Sequence, residues 1–143
     1  MTDPTPPGRP SRRRTIATVT LALFYGLAGI AHLVVTDAMV RIVPPWVPQA
    51  RLVVLATGWC ELAGAVGLAI PPLRRPAALA FAAYAVCVYP ANVQHAILDL
   101  SRGTGLGLWY HVPRLAAQPL LVAWAWWVAR AWRGATSRPR STR

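Results

Sequence analysis

Lysine is absent from this chain, and only four residues are acidic: Asp3, Asp37, Glu61 and Asp99. All 15 basic side chains are therefore arginine, and the formal net charge is +11. A GC-rich coding sequence accounts for the missing lysine, which carries no functional meaning. So large a basic excess raises nucleic acid as a partner. The placement of the arginines excludes it. They sit in the gaps between apolar runs and not along one face, which is how membrane orientation is encoded. Cysteine is scarce as well. Cys60 and Cys87 form no Cys-x-x-Cys pair and no metal-ligand spacing, so no metal site is expected. They fall at similar depth on neighbouring apolar runs, which leaves two readings: a thiol pair or small packed residues.

What is present is apolar. Hydrophobic residues make up 55% of the 143-residue sequence, more than a soluble domain of this size can cover. They collect in four runs, at about 15–35, 52–70, 76–98 and 112–132. Each is long enough to cross a hydrocarbon core of about 30 Å at about 1.5 Å per residue. The fold class expected is all-α, an integral membrane four-helix bundle spanning 15–133. Basic tails at 1–14 and 134–143 have too little apolar content to fold alone. A secretory signal peptide is the rival reading of the first run, but that run is long for one and three more follow it.

The connections carry their own signals. Pro44, Pro45 and Pro48 around Trp46 exclude a regular element and suggest a loop lying at headgroup level. Pro71 and Pro72 end the second run, and Pro90 is expected to kink the third. With a cytoplasmic N-terminus, 11 arginines fall inside and 4 outside, which places both termini in the cytoplasm of a cell (inner) membrane protein.

Glu61 is the most informative residue. It sits mid-run among Gly58, Gly64 and Gly67, where a carboxylate is costly unless it faces protein or a water-filled cavity. Each run carries further polar groups in its outer half. His32 lies near the end of the first, and Glu61 roughly 14 Å below the start of the second. Asn92 and His95 share a face of the third, as do Arg114 and Gln118 of the fourth. The inner half holds almost none. One shared polar site explains the asymmetry, with Glu61 and His32 as catalytic candidates and Asn92, His95, Arg114 and Gln118 as ligand-binding ones. The bland alternatives are a structural clasp between Glu61 and His32 or Arg114, an Arg114 that snorkels to the interface, and Asn92 and Gln118 as interhelical glue. Haem held by His32 and His95 is a weak further reading, without other support in the sequence.

Five segments in order carry a resemblance. They are Ala28-Gly29-Ile30-Ala31-His32, the Arg41–Pro48 segment, Gly58-x-x-Glu61-x-x-Gly64, Tyr89-Pro90-Ala91-Asn92, and Arg114-Leu115-x-x-Gln118-Pro119. Together they resemble the DoxX family of small bacterial membrane proteins over roughly 21–127. Ala117 departs slightly from the pattern, which favours Pro or another apolar residue before the glutamine. The resemblance implies a four-helix membrane bundle and an association with membrane redox systems that handle quinones or thiols. On it rests the expectation of a small redox subunit with a quinone- or small-molecule-binding cavity. The lipid bilayer and a membrane redox protein are its expected partners, and a homo-oligomer is compatible with it. The alternative is a non-catalytic scaffold whose polar cluster only fixes helix packing. A solute or proton pathway fits poorly, because the inner half lacks a matching polar route.

Overall fold

The computed structural model of the chain describes residues 11–103 and 105–133. The tail readings for 1–10 and 134–143 lie outside the described residues. Among those described, the chain is all-helical, with five α-helices in the order α1 (Arg12–Val34), α2 (Thr36–Val40), α3 (Ala50–Ala69), α4 (Arg74–Arg102) and α5 (Leu108–Ala131). A 3-10 turn, Pro71–Leu73, joins α3 to α4. Three stretches are long and apolar enough to cross a membrane: Arg12–Val34, Ala50–Ala69 and Pro71–Arg102. Helix α5 has the length, but His111, Arg114 and Gln118 lower the apolar character of its first half.

Helix boundaries differ from the apolar runs because backbone hydrogen bonding does not stop where hydropathy does. Helix α1 opens at Arg12, taking in three arginines that the sequence assigns to the tail. Helix α4 runs on past Leu98 to Arg102 and ends at Gly103, whose φ of 60° is the left-handed C-cap that glycine adopts without penalty. It continues through Pro90. A short helix, α2, precedes the Pro-rich segment where the sequence suggests only loop.

The four long helices run antiparallel to their packing neighbours. Thr18 of α1 meets Trp132 beyond α5, Gly29 of α1 meets Gly58 of α3, and Asp99 of α4 meets His111 of α5. The connections between α1 and α3 and between α4 and α5 therefore fall at one end, here called the roof end. The Pro71–Leu73 turn marks the opposite, base end.

The core lies toward the base end. Leu21, Tyr25, Leu68, Ala78, Phe81, Ala125 and Val128 are buried there. Tyr25 stacks flat on Phe81, ring centroids 3.8 Å apart, and so ties α1 to α4. At the base, Arg74 donates from Nε to the Leu68 carbonyl at 3.1 Å, covering a carbonyl that the end of α3 leaves open. The same guanidinium stacks over Trp132, whose indole N–H donates to Thr18 at 3.0 Å. Outward faces are apolar: Leu23, Leu27, Val66, Val86, Ile97 and Leu120 are all exposed. Exposed apolar side chains on this scale mark a surface that meets a membrane or another protein.

The seam between α1 and α3 sets the site. A methyl group at Gly58 would fall 2.8 Å from the His32 Cβ, and one at Gly29 would fall 2.8 Å from the Gly58 carbonyl oxygen. Only hydrogen fits at either position, so the two backbones approach closely. That approach brings His32 onto the face where Glu61 emerges, one turn along from Gly58.

Candidate functional site

Glu61 is 3% exposed, although it lies midway along an apolar helix. Its Oε2 sits 2.8 Å from Nδ1 of His32. That nitrogen is also 2.9 Å from the carbonyl oxygen of Ala28, one turn back on its own helix. A single N–H cannot point squarely at both. The proton is aimed at the helix carbonyl, which leaves Oε2 close to the imidazole yet without a well-directed donor among the described residues. Tyr84 of α4 lines the same cavity as Glu61 and Thr57. Tyr25 lies nearby, its own hydroxyl buried and unpartnered among the described residues.

A cavity of about 520 Å³ opens from this pair toward the roof end. Its volume is in the range typical of small-molecule sites. The roof is the connection between α1 and α3, through Met39, Ile42, Pro44, Trp46 and Val47. Glu61, His32 and Thr57 enter the cavity from one side; Asn92, Arg114 and Gln118 enter it from α4 and α5. Most of the remaining lining, including Phe24, Ala28, Val54, Val88 and Leu121, is apolar, with the rings of Tyr25 and Tyr84 beside it. Gln118 is buried and its Oε1 finds no hydrogen-bond partner among the described residues.

Five of the six residues selected from sequence thus share one cavity. His95 does not line it. It belongs to a second network behind Arg114. One terminal nitrogen of Arg114 donates to Oδ1 of Asn92 at 2.6 Å, and the other to Nδ1 of His95 at 2.6 Å. A guanidinium can only donate, so Nδ1 must accept and the His95 proton sits on Nε2. That proton faces Oδ2 of Asp99 at 3.3 Å, and His111 donates to the same oxygen at 3.1 Å. The result is a relay of alternating donors and acceptors from Asn92 to His111, with a cation near one end and a carboxylate near the other. Arg114 therefore bridges Asn92 and His95, and it also lies over the Tyr110 ring.

His95, Asp99 and His111 offer ligand atoms within 4.8 Å of one another, a donor set chemically suited to a divalent cation. The arrangement argues for the relay instead. Arg114 places positive charge against His95 and fixes its tautomer with the Nε2 lone pair occupied by a proton. A metal-bound histidine needs an acceptor, not a donor, opposite its second nitrogen. As for haem, His32 and His95 are committed to different partners in the two separate networks.

Sequence reasoning misses Asp99 and His111. It leaves both in the polar connection after the third run, but α4 and α5 each extend into that segment. The spacing of His95 and Asp99, four apart, is the available signal, as is that of His111 and Arg114, three apart. Tyr84 reads as a core or belt residue, and it also lines the cavity. The cysteines correct another expectation. Cys60 and Cys87 are both free and exposed, not packed inside, although Cys87 also borders the cavity.

No curated protein and no solved structure matches the chain. A family model matches residues 21–129, which take in both polar networks and the roof. The chain belongs to the family described as a domain of unknown function, DUF8561.

Proposed function

We propose that this chain is an integral membrane four-helix bundle similar to the DoxX family. In this reading it is a small subunit of a membrane redox system whose roofed cavity binds a quinone or a like small carbonyl compound. Helix α5 is the fourth crossing in this reading, its polar half shielded by α4. The positive-inside distribution puts the base end and both termini at the cytoplasmic face.

The observation that carries the proposal is Glu61. Its carboxyl is almost wholly buried, it lies against His32 without a well-directed donor, and it opens onto a cavity whose lining is largely apolar. Ionisable groups at membrane depth default to function because their burial is costly, on the order of 3 kcal/mol at a helix centre. A quinone ring presents two carbonyl oxygens on opposite edges of an apolar disc. The cavity presents polar groups on opposite walls with apolar surface between. Asn92, Gln118 and Arg114 would hold one carbonyl, and Glu61 with His32 would face the other.

Reduction of a quinone to its quinol takes two electrons and two protons. Glu61 and His32 supply or accept protons at the oxygen they face, within hydrogen-bond reach of one another. The electrons come from a partner redox protein, or from two substrate thiols as they join into a disulfide and release their protons. The roof, with Trp46 at its edge, keeps bulk water from the carboxyl.

The scaffold reading draws on one specific observation: Arg114 already spends both terminal nitrogens on Asn92 and His95. The two readings separate in one experiment. Quinone binding by the purified protein is followed by quenching of tryptophan fluorescence, for the wild type and Glu61→Gln. The redox reading has the protonated carboxyl donate to a quinone oxygen and expects binding weakened about fivefold in the variant, the effect of one hydrogen bond. Equal binding by both, or none by either, favours the scaffold.

A further inference from the structure

At the base end a second concavity of about 140 Å³ opens between α4 and α5, lined by Arg75, Leu79, Trp126, Ala129, Arg130 and Arg133. Three arginines thus line a groove whose other lining residues are Leu79, Trp126 and Ala129. None of the acidic side chains among the described residues is available to them. Asp37 pairs with Arg51, Glu61 with His32, and Asp99 with His95 and His111. Arg74, next in sequence to Arg75, is engaged elsewhere. It is held on the carbonyl oxygens of Leu68 and Ala69 and stacked over Trp132. Arg130 lies over the face of Trp126, its guanidinium carbon 5.3 Å from the ring centroid, which favours a position beside the groove.

From this charge complementarity we infer that the groove is a binding site for the phosphate headgroup of an anionic phospholipid. Three arginines can hold phosphate oxygens by paired N–H donors, a geometry that an ammonium group does not reproduce. Trp126 is the kind of ring that sits at headgroup level, and Leu79 and Ala129 offer apolar surface to the first carbons of an acyl chain. Basic pockets between helices at the ends of membrane spans have this chemistry. The inference rests on the membrane reading proposed above but not on the quinone reading.

The test is native mass spectrometry of the detergent-purified full chain, offered equal phosphatidylglycerol and phosphatidylcholine. Retention of phosphatidylglycerol over phosphatidylcholine is expected. A variant carrying Arg75→Gln, Arg130→Gln and Arg133→Gln should lose that preference, by about fivefold for each charge removed. Control substitutions at the roof end, Arg41→Gln with Arg102→Gln, should keep it. Should the triple Gln variant fold poorly, the matching Lys variant keeps the charge and is expected to show an intermediate preference. Equal retention of the two lipids by the wild type would overturn the proposal. So would a Gln variant that selects as the wild type does, or inorganic phosphate displacing the lipid at equal concentration. A chain that takes up neither lipid would instead sink the membrane reading itself.

Discussion

Oε2 of Glu61 and Nδ1 of His32 lie 2.8 Å apart across the α1–α3 seam, while the same nitrogen keeps its helix carbonyl at 2.9 Å. The imidazole is thus shared between a structural bond and a carboxyl. Replacing His32 by Ala removes the neighbour of a buried carboxyl and leaves it unpaired, a loss of about 1–3 kcal/mol. Glu61→Gln keeps the shape of the side chain, so it should unfold close to the wild-type temperature. Thermal unfolding in detergent checks the order: His32→Ala well below Glu61→Gln. The reverse order would mean that the pair does not hold the seam.

The seam makes a second, sharper expectation. A methyl at Gly58 meets the His32 Cβ at 2.8 Å, whereas one at Gly26 meets nothing closer than the Ala65 Cβ at 3.8 Å. Alanine is favoured over glycine in a helix by about 1 kcal/mol. Gly26→Ala should therefore be neutral or stabilising. Gly58→Ala should lose about 1–3 kcal/mol through overpacking and should also separate His32 from Glu61. Unfolding midpoints of the two single variants settle this. Similar values for both would contradict the close approach.

Arg114 is the centre of the second network. Arg114→Leu strips the donors from Asn92 and His95 together. A double-mutant cycle of Arg114→Leu with Asn92→Leu should show a coupling of about 0.5–3 kcal/mol, because the two side chains touch. Additive effects would argue that the contact between Arg114 and Asn92 contributes nothing.

Cys87 borders the cavity and Cys60 does not, yet both are exposed and free. A membrane-permeant maleimide should label both in the purified protein. A quinone bound in the cavity should slow labelling at Cys87 and leave Cys60 unchanged. Protection at both sites, or at neither, would place the ligand elsewhere. Peptide mass mapping distinguishes the two cysteines.

At the base, the Trp132 indole links α5 to Thr18 of α1. Trp132→Phe keeps a ring for Arg74 and deletes only that hydrogen bond, a loss of about 1 kcal/mol. Thr18→Val also removes the hydroxyl's bond to the Arg14 carbonyl, so it should cost at least as much, and adding Trp132→Phe to it should cost little more. Summed losses in the double variant, read from unfolding midpoints, would show that the bond does not join the helices.

Hydropathy made the long helices legible, because a run of apolar residues at least as long as a bilayer is thick has few other uses. It could not place their ends, since Arg12 and Arg102 are good helix residues outside any apolar run. Glu61 announced itself by cost: a carboxylate amid glycines and leucines has to face protein. The pairing with His32 was one of several open readings, because helix spacing fixes a face but not which neighbour that face meets. Asp99 and His111 stayed hidden for a different reason. They flank a glycine-rich turn, and polar residues beside such a turn are ordinarily solvated. Only the extension of α4 and α5 past their apolar portions turns them toward His95. Cys60 shows the limit from the other side. It is adjacent to the buried Glu61 and still faces outward, since neighbours in a helix point about 100° apart.

The roof has a mechanical consequence. Its first residue, Thr36, donates its hydroxyl proton to the His32 carbonyl oxygen at 2.7 Å. The segment that covers the cavity is therefore fastened to the backbone of the imidazole that faces Glu61. In the proposed reading, a molecule that displaces this cover pulls on the backbone of His32, and the disturbance reaches the carboxyl through a single hydrogen bond.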